Sequence, residues 1–183
     1  MKQSQLIQLN DGGILMPDGG VARGTYFASH NEGPWEPIFN SLTKEYLTYL
    51  LNSGMRGSPA ALTSWYMTLF GVGQNPTDDW TAASFAALDA ENESTAEGYV
   101  NPTRPVWTPG VAVDGLIANS ADPVRFTFAT ASSVNIGGIA ILSSDVRGGS
   151  AGVLASAANL NNSRQFEDGD TYDVVYRLRL EAQ

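Results

Sequence analysis

Residues 134–158, VNIGGIAILSSDVRGGSAGVLASAA, decide between two architectures. The glycine pairs Gly137-Gly138 and Gly148-Gly149, with Gly152 behind them, would be phosphate-cradling loops in a nucleotide enzyme and plain turns in a β-protein. A phosphate loop needs Gly-x-x-x-x-Gly-Lys-Ser/Thr, whose lysine reaches the phosphates, and neither pair supplies that lysine. The dinucleotide pattern Gly-x-Gly-x-x-Gly also fails, and no strand-loop-helix unit surrounds it. Backbone geometry accounts for the glycines better. Val134 and Ile136 share one parity while Ile139 and Ile141 share the other, so a bulge or tight bend at Gly137-Gly138 must shift the frame. Gly148-Gly149 then reads as the turn before a next strand at Val153-Leu154.

The flanking sequence repeats the β signal. Val124-Arg125-Phe126-Thr127-Phe128 alternates apolar and polar in period two. So does the C-terminal run, with Val174, Tyr176, Leu178 and Leu180 on one face and Val175, Arg177 and Arg179 on the other. Residues 64–70, SWYMTLF, are apolar on both faces, as a covered central strand should be. Shorter strand candidates are residues 95–100, 106–107, 111–117, 134–136, 139–142 and 152–155. With no helical pattern between these segments, the expected fold is mainly β: an antiparallel β-sandwich, jelly-roll or Ig-like.

One short helix precedes it. Leu42, Tyr46, Tyr49 and Leu50 form an apolar stripe over residues 42–52, Ser41 can cap the start, and Gly54 follows the end. Residues 82–88, AASFAAL, suit either a helix or a loop.

Residues 1–40 read as an extended N-terminal arm, and residues 41–183 as the helix plus β-sandwich domain. In the arm, Asp11-Gly12-Gly13 and Asp18-Gly19-Gly20 bracket Ile14-Leu15-Met16-Pro17. Aromatic residues then scatter among Gly33, Pro34 and Pro37 without periodicity. Ile14, Leu15, Met16, Tyr26, Phe27 and Trp35 are the expected partner-binding anchors, each worth about 1.5–3 kcal/mol if its side chain were buried on another surface. On this reading, deleting residues 2–38 leaves a folded domain that no longer attaches.

The net charge of −9 argues against nucleic acid and anionic membranes as partners. Only 16% of residues are charged, so much of the surface must be small and polar or covered by another protein. The chain has no cysteine, which removes disulfides, thiolate metal sites and cysteine nucleophiles. No signal-peptide or membrane-span pattern is present, and the expectation is a soluble protein not exported by a cleaved signal.

Catalytic patterns are weak. The single histidine, His30, lies between Ser29 and Asn31 and reads as an ordinary loop histidine. Carboxylates occur at Asp78-Asp79, Asp89, Glu91, Glu93, Glu97 and Glu167-Asp168-Gly169-Asp170. A glycosidase needs two of these at a set separation, but such runs are ordinarily solvated loops. Asp168-Gly169-Asp170 lacks the twelve-residue calcium-loop spacing and reads as a turn launching the last strand. We therefore expect no catalytic residues, no metal and no cofactor.

Several segments in order resemble a group of small structural virion proteins of tailed bacteriophages. They are Lys44-Glu45-Tyr46-Leu47-Thr48-Tyr49-Leu50-Leu51, Ser64-Trp65-Tyr66-Met67-Thr68-Leu69-Phe70 with Asn75-Pro76 and Trp80-Thr81, and Arg104-Pro105-Val106-Trp107. Ile117-Ala118-Asn119-Ser120, Val124-Arg125-Phe126-Thr127-Phe128 and Ile139-Ala140-Ile141-Leu142 complete the order. The resemblance covers roughly residues 42–182; in the last segment the group's Gly-Ile-Phe-Asp is replaced by Ala140-Ile141-Leu142-Ser143. It implies a non-enzymatic virion component assembled in the host cytoplasm, a head-decoration (cement) protein or a tail, collar or fibre-like part. The implied partners are the major capsid protein or other virion proteins, and further copies of the chain in a homo-oligomer. A third, separate expectation is a carbohydrate-binding or glycan-active domain using Trp80 or Trp107.

Overall fold

The computed structural model describes residues 21–181 together with the backbone of Ile7–Gln8 and Ile14–Leu15. The glycine question is answered in two long strands, Val134–Leu142 and Leu154–Phe166, which pair antiparallel with a register shift between Ile136 and Gly138. The shift reverses side-chain parity. Ile136, Ile139 and Ile141 consequently all enter the same core, although the sequence places them on opposite parities. A Cβ on Gly138 would lie 2.0 Å from Phe70 Cζ, and one on Gly137 2.6 Å from Val72 Cα, so both positions need glycine for close approach.

In chain order the strands are β1 (Ile7–Gln8), β2 (Ile14–Leu15), β3 (Val21–His30), β4 (Glu36–Phe39), β5 (Ser41–Leu42) and β6 (Trp65–Gly71). There follow β7 (Gly98–Tyr99), β8 (Val106–Trp107), β9 (Leu116–Ala118), β10 (Val124–Ala129), β11 (Val134–Leu142), β12 (Leu154–Phe166) and β13 (Thr171–Glu181). Two antiparallel sheets pack as a β-sandwich. The larger runs β1-β2-β3-β13-β10-β7, with β4 on β3 and β9 on β13; the smaller runs β5-β12-β11-β6-β8.

The main core lies between the sheets, where Tyr26, Ile38, Met67, Leu69, Phe126, Phe128, Ile139, Ile141, Val174 and Tyr176 are buried together. The outer face of β11 and β6 is covered as well. There Phe70, Ala140 and Leu142 meet Ala82 and Phe85 of the helix α2 (Ala82–Ala87). Thr81 and Ser84 close a capping box on that helix, which settles the ambiguous 82–88 stretch. No helix of the described residues is long and apolar enough to cross a membrane.

Helix α1 spans Lys44–Leu51 and runs on into a π-helical turn, Asn52–Arg56, so the helical segment starts two residues later than expected and passes Gly54 before ending at Gly57. Its cap is Thr43, whose hydroxyl accepts from Tyr46 N at 3.1 Å, and not Ser41, which pairs with Ala157 in β5. Tyr46 and Tyr49 bury their rings edge-on against Trp65 at 5.2 and 5.9 Å.

The N-terminal region differs most from expectation. Residues 21–39 are not an arm outside the domain. β3 pairs with β13 from Val21↔Glu181 to His30↔Tyr172, and β4 pairs with β3. Ile14 and Leu15 form a strand against Ala22 and Val21. The 1–40/41–183 boundary therefore cuts through the larger sheet. The pattern was disguised because the core face of β3 is Ala22, Gly24, Tyr26 and Ala28, mostly small residues. Gly24 is required there: a Cβ would lie 2.5 Å from the Asn40 amide and 2.6 Å from the Tyr176 hydroxyl.

Candidate interaction surface

Two arginine-centred regions stand out once the strands are in place. The first joins the loops at one end of the sandwich. Glu91 runs beside Phe70 of β6 and turns its carboxylate inward, where Arg104 Nε and Nη2 donate at 2.7 and 2.6 Å. Thr68 Oγ1 donates to the same carboxylate at 2.5 Å and Gly148 N at 2.8 Å. The two side chains are 0% and 2% exposed, so the ion pair is fully internal. Arg104 also donates to Ser144 O and Gly149 O, at 2.9 and 3.3 Å.

Arg147 adds a second clamp. Its guanidinium lies 3.8 Å from the Tyr99 ring centroid and donates to the carbonyls of Asn92, Ser94, Tyr99 and Asn101. Burial pushes the Tyr99 hydroxyl up to about 12. The 143–150 loop, including Gly148-Gly149, is thus bound to this chain's own 91–104 segment. Each guanidinium nitrogen of Arg104 and Arg147 donates within the chain, which describes a structural joint.

The second region is the outer face of the larger sheet. Paired residues across antiparallel strands share a face, so Arg23, Thr25, Phe27 and Ser29 of β3 lie with Asp173, Val175, Arg177, Arg179 and Glu181 of β13. Arg125 of β10 joins through Asp173, and Pro37 and Phe39 of β4 join through Phe27 and Thr25. Four of the chain's ten basic residues therefore share one face of an acidic protein. Arg125 donates to Asp173 twice at 2.7 Å, and that carboxylate holds the guanidinium pKa above its ordinary value. Arg179 pairs with Glu181 at 2.7 Å. Arg177 instead lies over Phe27, 4.9 Å from the ring centroid, and has no carboxylate partner among the described residues. Phe39 is 59% exposed and Trp35, just before β4, is 47% exposed.

The six expected anchors are dispersed by this geometry. Tyr26 is fully buried, with its hydroxyl 2.6 Å from Ser156 Oγ, so it is a core residue and not a partner-binding one. Phe27 and Trp35 stay accessible on or beside the sheet face, and Ile14 and Leu15 are strand residues of the same sheet. Met16 lies outside the described residues. Phe39, Arg23 and Arg125 were not among the expected anchors; the polar positions of the alternating runs, Arg125 in one and Arg177 and Arg179 in the other, were the available signal.

The other candidates resolve into local structure. Asp170 accepts from Glu167 N at 2.8 Å and Asn31 Nδ2 at 2.7 Å, and lies 3.3 Å from His30 Nε2. Those donors, the Glu167 amide foremost, hold its carboxyl below the usual range. With Gly169 at φ +82°, residues 167–170 form the turn that launches β13. No group of three or more potential metal ligands occurs among the described residues. Trp107 is buried edge-on against Tyr176, and Trp80 packs against Phe70 and Phe85, so neither presents an open ring to a sugar. No protein-family model matches the chain, and no curated protein matches it by sequence.

Proposed function

We propose that this chain is a non-enzymatic structural protein of a tailed-phage virion, and within it a capsid decoration protein that binds and stabilises the outer shell. The observation that carries the reading is where the resembling segments fall. They lie, in order, on α1, β6, β8, β9, β10 and β11, elements of one sandwich that bury their apolar residues in a shared core. The internal satisfaction of the buried charges around Glu91 adds support, because a static scaffold gains from rigid loops. The major capsid protein is the partner on this reading, and the virion is the location.

The test is the copy number of the protein in purified particles, measured by quantitative mass spectrometry against the major capsid protein. Hundreds of copies per particle are expected. Six or twelve copies would move the assignment to a collar or tail part, and absence from purified particles would overturn it.

A further inference from the structure

We infer that the arginine-bearing outer face of the larger sheet is a docking surface for a second copy of this chain, which presents to it the carboxylates of the 93–97 and 167–168 turns. The inference goes beyond the virion reading and does not depend on it. It rests on how unevenly one chain distributes its charge. The sheet face holds the guanidinium groups of Arg23, Arg125, Arg177 and Arg179 against the carboxylates of Asp173 and Glu181 on β13 and of Glu32 just beyond β3, and of the four Arg177 has no carboxylate partner among the described residues. Beside them lie apolar groups suited to the centre of an interface: Phe27 under Arg177, and exposed Phe39 and Trp35. Aromatic residues and arginine are the types enriched where proteins meet.

The complementary surface is on the same molecule. Thr130 gathers two acidic turns: its hydroxyl donates to Glu97 at 2.6 Å and its amide to Asp168 Oδ1 at 3.3 Å. Glu93 and Glu167 flank them, all four carboxylate residues are exposed, and none forms an ion pair among the described residues. The basic residue nearest to them, Arg147, is committed to Tyr99 and backbone carbonyls. Among the described residues the acidic turns have no cation and Arg177 has no anion. Neighbouring copies satisfy both, one bringing its acidic turns to the face and another its face to the turns.

Because face and turns are different surfaces, the contact is head-to-tail and not a two-fold one, so it builds a ring or an open chain of subunits. A face of this mixed character uses charge to steer and orient the copies and apolar contact to hold them. It also follows that association weakens with salt.

Sedimentation velocity of the full-length protein tests this at about 10 mM salt, where the screening length is about 30 Å, and at about 1 M, where it is about 3 Å. At low salt the weight-average mass should rise with concentration to at least twice the 19.5 kDa of the monomer and fall back at high salt. Two charge-reversed variants follow: Arg177→Glu with Arg179→Glu, and Glu93→Lys with Glu167→Lys. Each alone should stay monomeric with an unchanged circular dichroism melt, and an equimolar mixture should associate again. A wild type that remains monomeric at low salt overturns the inference. So does an acidic-turn variant that associates like the wild type, or a mixture that does not recover.

Discussion

Arg104 and Arg177 are the same residue type put to opposite uses. At the loop end, Arg104 is wholly internal and each of its guanidinium nitrogens donates to Glu91 or to a backbone carbonyl. On the sheet face, Arg177 rests on an aromatic ring with no carboxylate among the described residues. The first arrangement joins loops that have no regular hydrogen-bond ladder between them. The second costs the fold almost nothing and leaves charge available to another surface. The difference teaches that enclosure, and not residue type, decides what an arginine does for this fold.

The sharpest break of that contrast is removal of part of the sheet itself. Deleting residues 2–38 takes away β3, which spans the length of β13. The expected outcome is loss of the cooperative unfolding transition, read by circular dichroism, and not the folded domain that an N-terminal arm would leave behind.

At the loop end, Arg104→Ala leaves the Glu91 carboxylate buried and short of its main partner, and should cost about 3–5 kcal/mol in urea unfolding. The double variant Arg104→Met with Glu91→Leu should recover part of this and not all, because Gly148 N and the Thr68 hydroxyl lose their acceptor. A full recovery would show that the ion pair contributes little beyond its own volume.

Gly138→Ala tests the bulge on which β11 turns its parity. The added methyl meets the Phe70 ring. Displacing that ring from its contact with Phe85 should cost about 1–3 kcal/mol.

The Asp170 carboxyl sits below its ordinary pKa in the folded chain. A depressed folded-state value contributes stability that is present above the unfolded value and lost as pH falls below about 4. The effect is small, under about 1 kcal/mol for a group this close to the surface. Asp170→Asn should flatten the fall in urea midpoint between neutral pH and acid, and an unchanged slope would assign the acid loss elsewhere.

The smallest expected effect is that of Arg177→Ala on folding, within about 0.5 kcal/mol. A larger loss in urea would place Arg177 with Arg104, as an internal tie, and erase the comparison.

Much of the fold was legible where apolar side chains themselves carry the pattern. β6 and β10 stand within a residue of the runs read from the sequence, β13 starts three residues before the run read there, and the β11 bulge lies at the glycine pair that predicted it. β3 was hidden because Ala22, Gly24 and Ala28 make room for Asn40 and Tyr176 from other elements, so the side chains filling that space lie far along the chain. The second half of β12 was hidden for a similar reason: Asn159, Asn161, Asn162 and Ser163 are exposed, and the contacts that hold this stretch are distant in sequence, Asn159 pairing with Gly138 and donating to Gln74 O and Asn161 donating to Pro37 O. Of the candidate surface, Arg177 and Arg179 were visible as the wet side of a strand. Their union with Arg23, Arg125 and Phe39 was not, since register between distant strands brings them together.

By itself the sequence determined the β character, the frame shift at Gly137-Gly138 and the acidic charge, because each depends on local parity, backbone freedom or a simple count. Only the tertiary structure decided that Tyr26 belongs to the core, that Glu91 meets Arg104, and that four of the eight arginines share one face. Those outcomes depend on which strands become neighbours, and that choice is made by the packing of the whole sandwich.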